Sequence, residues 1–186
     1  MKKILIYLLL LLSISGCATS NKNHQADIVN REVSRLSLPI KPLSSYSNFK
    51  LENMLLNEEI RLKEDKTKVA KELEVKLRAK LIPLLNEWNI NYSNPKSGTL
   101  VIEPQLHQLY VVSAGARFWV GAMAGESRID LDLKITDAQT GIEIARPRIM
   151  ITASAMSGGW SVGATDKNLL NYIAEISYEY LKNNYK

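Results

Sequence analysis

The chain has 186 residues, of which 46% are hydrophobic and 23% are charged. This length allows one modest domain with tails, and the hydrophobic share is enough for a buried core. The net charge of +5 is too weak a bias to indicate binding to nucleic acid, so no nucleic acid is expected among the partners.

The N-terminus carries the pattern of an export signal. Lys2 and Lys3 precede an almost unbroken apolar run over residues 4–12, and small residues continue as far as Cys17. The run is shorter than the roughly 20 apolar residues that span a bilayer, so it predicts a signal peptide rather than a transmembrane helix.

Residues 14–17, with the sequence Ile-Ser-Gly-Cys, resemble the lipobox of bacterial lipoproteins. The resemblance makes residues 1–16 a lipoprotein signal peptide. It implies cleavage after Gly16, attachment of diacylglycerol to the Cys17 thiol, and acylation of its new amino group, for example with palmitate. Several acyl chains make a stable membrane anchor, because each buried methylene contributes about 0.8 kcal/mol.

An ordinary secretory signal, or an uncleaved anchor, is the alternative interpretation of the N-terminus. Under the lipoprotein interpretation, the residue after the cysteine bears on which membrane holds the lipid. Ala18, in place of an aspartate, favours the outer membrane, facing the periplasm.

Residues 17–45 are predicted to form a lipidated tether, and residues 46–186 the folded domain. The first part of the tether is polar without a period, and Pro39 and Pro42 interrupt its last part. A flexible arm of this kind would let the domain stand off the membrane. A short helix is the alternative for its middle, with a face formed by Ile28, Val29, Val33 and Leu36.

The first half of the domain predicts a strand and then a helix. Residues 49–55 alternate loosely, as in a strand, and a helical pattern follows them. The apolar stripe of this helix has three- and four-residue spacing and consists of Val69, Leu73, Leu77, Leu81, Leu84 and Trp88. Pro83 is expected to kink or loosen its last turn, and Ile90 with Tyr92 indicates a short strand after it.

Residues 99–112 are predicted to form a second long element, a strand. Pro104 removes one ladder donor, so the strand should lie at an edge of the sheet or contain a bulge. Glu103, Gln105 and His107 share its polar face. The other face is apolar and carries Leu100, Ile102, Leu106, Tyr110 and Val112.

Residues 128–137 show the clearest alternation in the chain, with one face buried and one solvated, which indicates an antiparallel sheet. A turn over residues 137–141 leads into a partner strand, 142–153, in which a bulge is expected near Arg146 and Pro147. A last helix follows Asp166. Its apolar stripe is Leu169, Leu170, Ile173, Ile176, Tyr180 and Leu181.

The order of these elements indicates an α+β two-layer sandwich, with a mainly antiparallel sheet of about 4–5 strands and two helices packed on one face. In that arrangement the three long strands reach a common end opposite the turn. Two glycine-rich loops, 113–125 and 154–165, would leave the sheet there together. Their large side chains are Arg117, Phe118, Trp119, Met123, Met156 and Trp160.

These six side chains form the candidate interaction site. Exposed aromatic and methionine side chains beside an arginine are typical of protein interaction hot spots. We therefore predict that the two loops bind an envelope protein or a second copy of the chain. Two alternatives stay open: Phe118 and Trp119 cover one end of the core, or the loops form a pocket for a small ligand.

The first loop and the strand after it also carry a family resemblance. Arg117-Phe118, Gly121 and Ala124-Gly125 precede a strand that ends in Asp137, Thr140 and Gly141. This order resembles a family of bacterial lipoproteins with a domain of unknown function, number 4410, over roughly residues 47–183. The resemblance implies a periplasm-facing α/β domain, and it implies no activity and no catalytic residues.

Residues suited to catalysis are scarce. His107 is the only histidine in the predicted domain, since His24 lies in the tether, and Cys17 is used for the lipid. Asp130 and Asp132 would lie about 7 Å apart on one strand face. That spacing suits a cation site or a carboxylate pair, but a solvated strand face explains them better. No catalytic residue, metal or cofactor is therefore predicted.

The sequence thus predicts a non-enzymatic, lipid-anchored envelope protein that binds a protein partner or self-assembles through loops 113–125 and 154–165. The protein is expected to bind the membrane through the lipid on Cys17. The alternative function is a binding module for a small or lipidic envelope ligand.

Overall fold

The computed structural model describes residues 17–90, 98–110, 126–152 and 165–186. The helices are α1 (Cys17–Val33), α2 (Glu58–Arg61), α3 (Glu64–Ile90) and α4 (Thr165–Asn183), with a 3-10 turn at Leu43–Ser45. The strands are β1 (Asn48–Leu51), β2 (Leu55–Leu56), β3 (Thr99–Tyr110), β4 (Arg128–Asp137), β5 (Glu143–Ala145) and β6 (Arg148–Thr152).

The six strands form one mixed sheet. β1 and β2 follow each other along one side of β3 and run parallel to it, while β3 and β4 are antiparallel. β5 and β6 share the far side of β4, both antiparallel to it. The α+β sandwich is therefore confirmed. The sheet has more strands than predicted because two of the predicted strands, 49–55 and 142–153, are each broken into two.

Helices α3 and α4 pack together on one face of the sheet and enclose the core. The predicted stripe of α3 is buried from Leu73 to Trp88, with Val69 half-buried. Its partner surface is the inward side of β4, where Ile129, Leu131, Leu133 and Ile135 are fully buried. Burial of this kind is the main favourable contribution to folding.

The short strand predicted at Ile90 is wrong, because α3 continues through Pro83 and ends only at Ile90. A proline inside a helix removes the hydrogen bond to the carbonyl four residues earlier. That carbonyl belongs to Ala79, which is exposed, so water can hydrate it. Tyr92 lies outside the described residues.

Pro104 lies in a central strand, not at an edge as one of the two expectations had it. The Ile102 and Leu106 carbonyls accept hydrogen bonds from the Glu52 and Asn57 N–H groups at 2.9 and 3.2 Å, so they point toward β1 and β2. Because backbone direction alternates along a strand, Pro104 points the same way. It faces the break between β1 and β2, where no strand carbonyl requires a hydrogen bond from the N–H group that proline lacks.

The bulge that was the other expectation is present between Leu106 and Gln108. It shifts the inward phase of the strand by one residue, so Leu109 is buried in place of Tyr110. The prediction that Tyr110 faces the core is therefore wrong: its side chain is 50% exposed.

The segment predicted as a tether is helical over Cys17–Val33, and the second half of this helix packs against the domain. Ile28 and Val29 are buried in the core, as expected for the short-helix alternative, and α1 packs beside α4. The segment of residues 34–47, which we call the strap, then crosses the end of the sheet. It is held by hydrogen bonds from Ile40 N–H to the Ile144 carbonyl and from the Tyr180 hydroxyl to the Ser37 carbonyl.

The sheet therefore has two distinct ends. We call the end at residues 137–141 the turn end, and the end where β3 and β6 stop and β4 starts the loop end. Within the described part of the chain, no helix combines the length and apolarity needed to cross a membrane.

Candidate functional site at the loop end

Three strand termini meet at the loop end. Tyr110, the last residue of β3, is paired with Arg128, the first of β4, and Arg128 is paired with Thr152, the last of β6. The stretches predicted as glycine-rich loops therefore leave the sheet from neighbouring positions. The sequence-based expectation that they share one end is confirmed at these termini.

The start of α4 lies at the same end. The residues directly after its C-terminus lie at the turn end, where the Asn184 carbonyl accepts a hydrogen bond from Leu43 N–H and Tyr185 stacks on Trp88 with ring centres 4.0 Å apart. A helix of 19 residues extends about 28 Å, close to the length of β4. Thr165 must then lie near the loop end.

The six side chains predicted for the site, Arg117, Phe118, Trp119, Met123, Met156 and Trp160, lie outside the described residues, so their assignment stays a prediction. What is described at the loop end is a cleft of about 390 Å³. Tyr110, Glu126, Arg128 and Thr152 line it. Tyr110 and Arg128 are not among the predicted site residues. The bulge that exposes Tyr110 cannot be recognised from the alternation of apolar and polar residues along β3.

A second polar feature lies on the sheet face opposite the helices. The Arg148 guanidinium donates two hydrogen bonds to Asp130, from Nε at 2.9 Å and from Nη2 at 2.6 Å. Asp130 is only 1% exposed, and Asp132 is buried beside it. The interpretation of both aspartates as part of a solvated face is therefore wrong, because residues of the neighbouring strands shield them.

Asp132 is the less fully paired of the two. His107 Nε2 lies 3.0 Å from its Oδ2, and an Arg146 nitrogen lies 3.9 Å from the same oxygen. Within the described part of the chain its Oδ1 accepts no hydrogen bond, and Arg148 Nε is 4.0 Å away. The Asp130 carboxylate raises the pKa of the Arg148 guanidinium above its usual value, which strengthens the pairing.

This charge cluster could have been predicted by fixing the register of the hairpin with its bulge. The turn at residues 137–141, together with the one-residue register shift between Ile135 and Thr136, places Asp132 opposite Arg148, and Arg148 then lies diagonal to Asp130. Opposite charges on one sheet face at that spacing attract each other. The cluster binds three strands together, and its charges are compensated within it.

The turn end explains the Asp137, Thr140 and Gly141 positions of the family resemblance. Asp137 Oδ1 accepts hydrogen bonds from the N–H groups of Gln139 and Thr140 at 2.9 and 3.2 Å, and its Oδ2 accepts one from the Tyr46 hydroxyl at 3.1 Å. The Gln139 N–H group is the main reason why the pKa of Asp137 lies below its usual value.

The other two positions complete the same turn. The Thr140 hydroxyl oxygen accepts a hydrogen bond from Ile142 N–H at 3.3 Å. Gly141 has a φ of 70°, a conformation that side chains disfavour. Its N–H group donates to the Asp137 carbonyl at 2.8 Å. These motif residues are therefore structural.

Among the residues that the structure describes, no group of three or more His, Cys, Asp or Glu side chains is placed to hold a metal ion. The predicted site itself lies in loops outside these residues, so the expectation that it binds no metal stays a prediction.

Comparison with known proteins gives one family and a set of similar folds. The family model described as "Domain of unknown function (DUF4410)" matches residues 33–157, which is 125 of the 186 residues. No curated protein matches the sequence.

Two similar solved structures are those of PelC dodecamers from Paraburkholderia phytofirmans. A single-substitution variant in space group C2 has a TM-score of 0.44 at 11% identity, covering 79% of this chain and 95% of the PelC chain. The structure in space group P6 has a TM-score of 0.42 at 14% identity, covering 77% and 94%. A likeness at this level does not carry assembly or partners over to this chain.

Proposed function

We propose, for a chain that belongs to the DUF4410 family, a non-enzymatic function as a lipid-anchored protein of the cell envelope. It is held by lipid on Cys17, at the periplasmic side of an outer membrane, and it binds a protein partner or further copies of itself through the loop end. The observation that supports this proposal most directly is the meeting of Tyr110, Arg128 and Thr152 at one end of the sheet.

The local packing explains why this end suits binding. At the turn end the backbone groups are used by the strap and by the Asp137 turn, and the helix-side face of the sheet is covered by α3 and α4. At the loop end Tyr110 is half exposed beside a cleft, and the stretches after the strand termini are rich in glycine and aromatic residues. Aromatic side chains and arginine dominate binding energy at protein interfaces.

The test is a pair of loop substitutions in the full-length, lipidated protein. Trp119→Ala with Trp160→Ala should lower the assembled mass in mild detergent without lowering the melting temperature of the domain. Trp88→Phe is the matched control, because it changes the third tryptophan, which is buried near the turn end. A wild-type protein that is monomeric and captures no crosslinked partner would contradict the proposal, and so would loop variants that simply melt earlier.

The second candidate function is binding of a small or lipidic ligand, which is favoured by the cleft beside Tyr110 and Arg128. Its volume, about 390 Å³, falls in the lower part of the range of ligand pockets, about 300–1,000 Å³. Native mass spectrometry of the protein released gently from membranes should then retain a bound molecule, and Arg128→Gln should lose it. A spectrum of ligand-free protein only would argue against this function.

A further inference from the structure

We infer that the loop end stands against the membrane that holds the lipid of Cys17, so that a partner bound there must lie in or on the same membrane. The inference rests on the proposed acylation of Cys17 and narrows the proposed partner to one at the membrane surface. It is carried by the direction of α1 and by the lack of any linker between Cys17 and that helix.

The direction of α1 is set by its contacts. Ser37, which comes shortly after the helix, accepts a hydrogen bond from the Tyr180 hydroxyl near the C-terminal end of α4. Further back along the chain, Gln25, Ala26, Val29 and Asn30 of α1 line a cleft with Glu175 and Glu179, which come five residues and one residue before Tyr180 in α4. Because Ser37 lies at Tyr180 and the helix before it lies beside residues 175–179, we infer that α1 continues toward the start of α4 and that the two helices run parallel.

The length of α1 then places Cys17. The helix has 17 residues and spans about 24 Å from Val33 to Cys17. That is close to the length of α4, whose first residue, Thr165, lies near the loop end. The N-terminus of α1 consequently reaches the loop end, while its C-terminus stays at the turn end beside the strap.

The connection between the proposed lipid and the folded domain is also short. Cys17 is itself the first residue of α1, and the helix is fixed to the domain by Ile28 and Val29, which are 3% and 2% exposed. Acyl chains on Cys17 enter the bilayer directly. No residues remain between the lipid and the helix to form the flexible arm that the sequence alone predicts.

The described surface of the loop end is compatible with a membrane interface. Leu62, which joins α2 to α3, is 74% exposed, and Tyr110 is 50% exposed. Arg61, Lys63 and Arg128 are exposed at the same end, but Glu59 and Glu126 stand beside them. Charge alone would therefore hold this end only weakly, and the anchor supplies the orientation.

The turn end provides the competing surface. It also carries exposed apolar side chains, among them Leu38, Ile40 and Ile142 at 78%, 71% and 54%. Apolar exposure by itself does not say which end meets lipid. The two ends are separated by the length of β4, about 33 Å, so only the end beside Cys17 can reach the bilayer while its lipid is inserted.

The experiment places one fluorescent label at each end of the full-length, lipidated protein in vesicles of phosphatidylethanolamine and phosphatidylglycerol. Cys17 is the only cysteine, and acylation consumes its thiol, so a single introduced cysteine takes the label. Tyr110→Cys and Leu62→Cys report on the loop end, and Thr140→Cys and Ile142→Cys report on the turn end. The Leu62 position serves as a second variant should Tyr110→Cys fold poorly.

With nitroxide groups near the lipid headgroups, the loop-end labels should lose most of their fluorescence and the turn-end labels should keep theirs. Stronger quenching at the turn end, or no difference between the ends, would overturn the inference. Loop-end labels shielded from aqueous iodide but unaffected by the nitroxide lipids would also overturn it, in favour of a covering protein. Mass analysis of the N-terminal peptide separates the premises: a peptide without acyl chains refutes the anchor itself, whereas an acylated protein with quenching at the turn end refutes only the orientation.

Discussion

The two ends of the sheet differ in how their backbone groups are used. At the turn end, five parts of the chain are joined: the strap, the Asp137 turn, the start of β1, and the last turns of α3 and α4. At the loop end, β3 and β6 stop and β4 starts beside an open cleft. The difference indicates that the turn end holds the fold together, and it is the reason why we propose the loop end as the binding end.

The largest difference between the ends should appear when an aromatic residue is removed from each. Trp88 is 6% exposed, contacts Phe49 edge-on at 5.1 Å between ring centres, and stacks on Tyr185. Trp88→Ala should lower the free energy of unfolding by about 3–5 kcal/mol. Tyr110→Ala at the loop end should lower it by less, about 1 kcal/mol, because half of this side chain is already exposed in the folded protein. Chemical denaturation measures both, and equal losses of unfolding free energy would contradict a larger contribution of the turn end to stability.

A pH titration sharpens the comparison through Asp137. Its pKa is lowered in the folded protein by the Gln139 N–H group and by further donors, so it stabilises the fold above the unfolded-state pKa of about 3.9. That stabilisation is lost as the pH falls below about 4 toward the folded-state pKa. Wild type should therefore melt higher than Asp137→Asn at pH 7, and the gap should close in acid.

The control for this titration is Asp27→Asn, on the exposed side of α1. Its melting temperature should follow that of the wild type at every pH. A gap between wild type and Asp137→Asn that stayed constant down to pH 3 would show that the charge of Asp137 does not matter to the turn.

A smaller effect should come from loosening the strap. The buried Tyr180 hydroxyl donates a hydrogen bond of 2.8 Å to the Ser37 carbonyl, and Tyr180→Phe should cost about 1 kcal/mol. Tyr178→Phe is the matched control, because the Tyr178 ring lies under the Lys80 and Lys182 ammonium groups and phenylalanine keeps that contact. Equal losses in the two variants would leave the strap without a measurable role.

What the sequence predicts correctly depends on strictly local patterns. The predicted bounds of β4 are the Arg128–Asp137 that the structure shows, because strict alternation fixes both the strand and its buried face. The apolar stripe of α3 is predicted for the same reason. The convergence of three strand ends follows from the antiparallel pairing of β4 with both β3 and β6, since antiparallel neighbours must return to the same end.

What the sequence misses depends on residues far apart in the chain. Nothing local shows that β1 and β2 pair with β3 in parallel, because the crossover through α3 decides that pairing. The burial of Asp130 depends on Arg148 in the next strand, and the exposure of Tyr110 depends on a one-residue bulge. The sequence does not distinguish a helix packed on α4 from a flexible tether, because the stretch around Ile28 and Val29 is polar and contains few other apolar residues.

Hydrogen exchange on the lipidated protein tests the central claim most directly, by comparing the protein in its native membrane with the monomer in detergent. We expect the membrane environment to add protection at the loop end, in residues 106–110 and 126–130, and to leave the turn end at residues 134–142 unchanged. Protection that appears at the turn end, or at neither end, would contradict the claim that the loop end is the binding end of this protein.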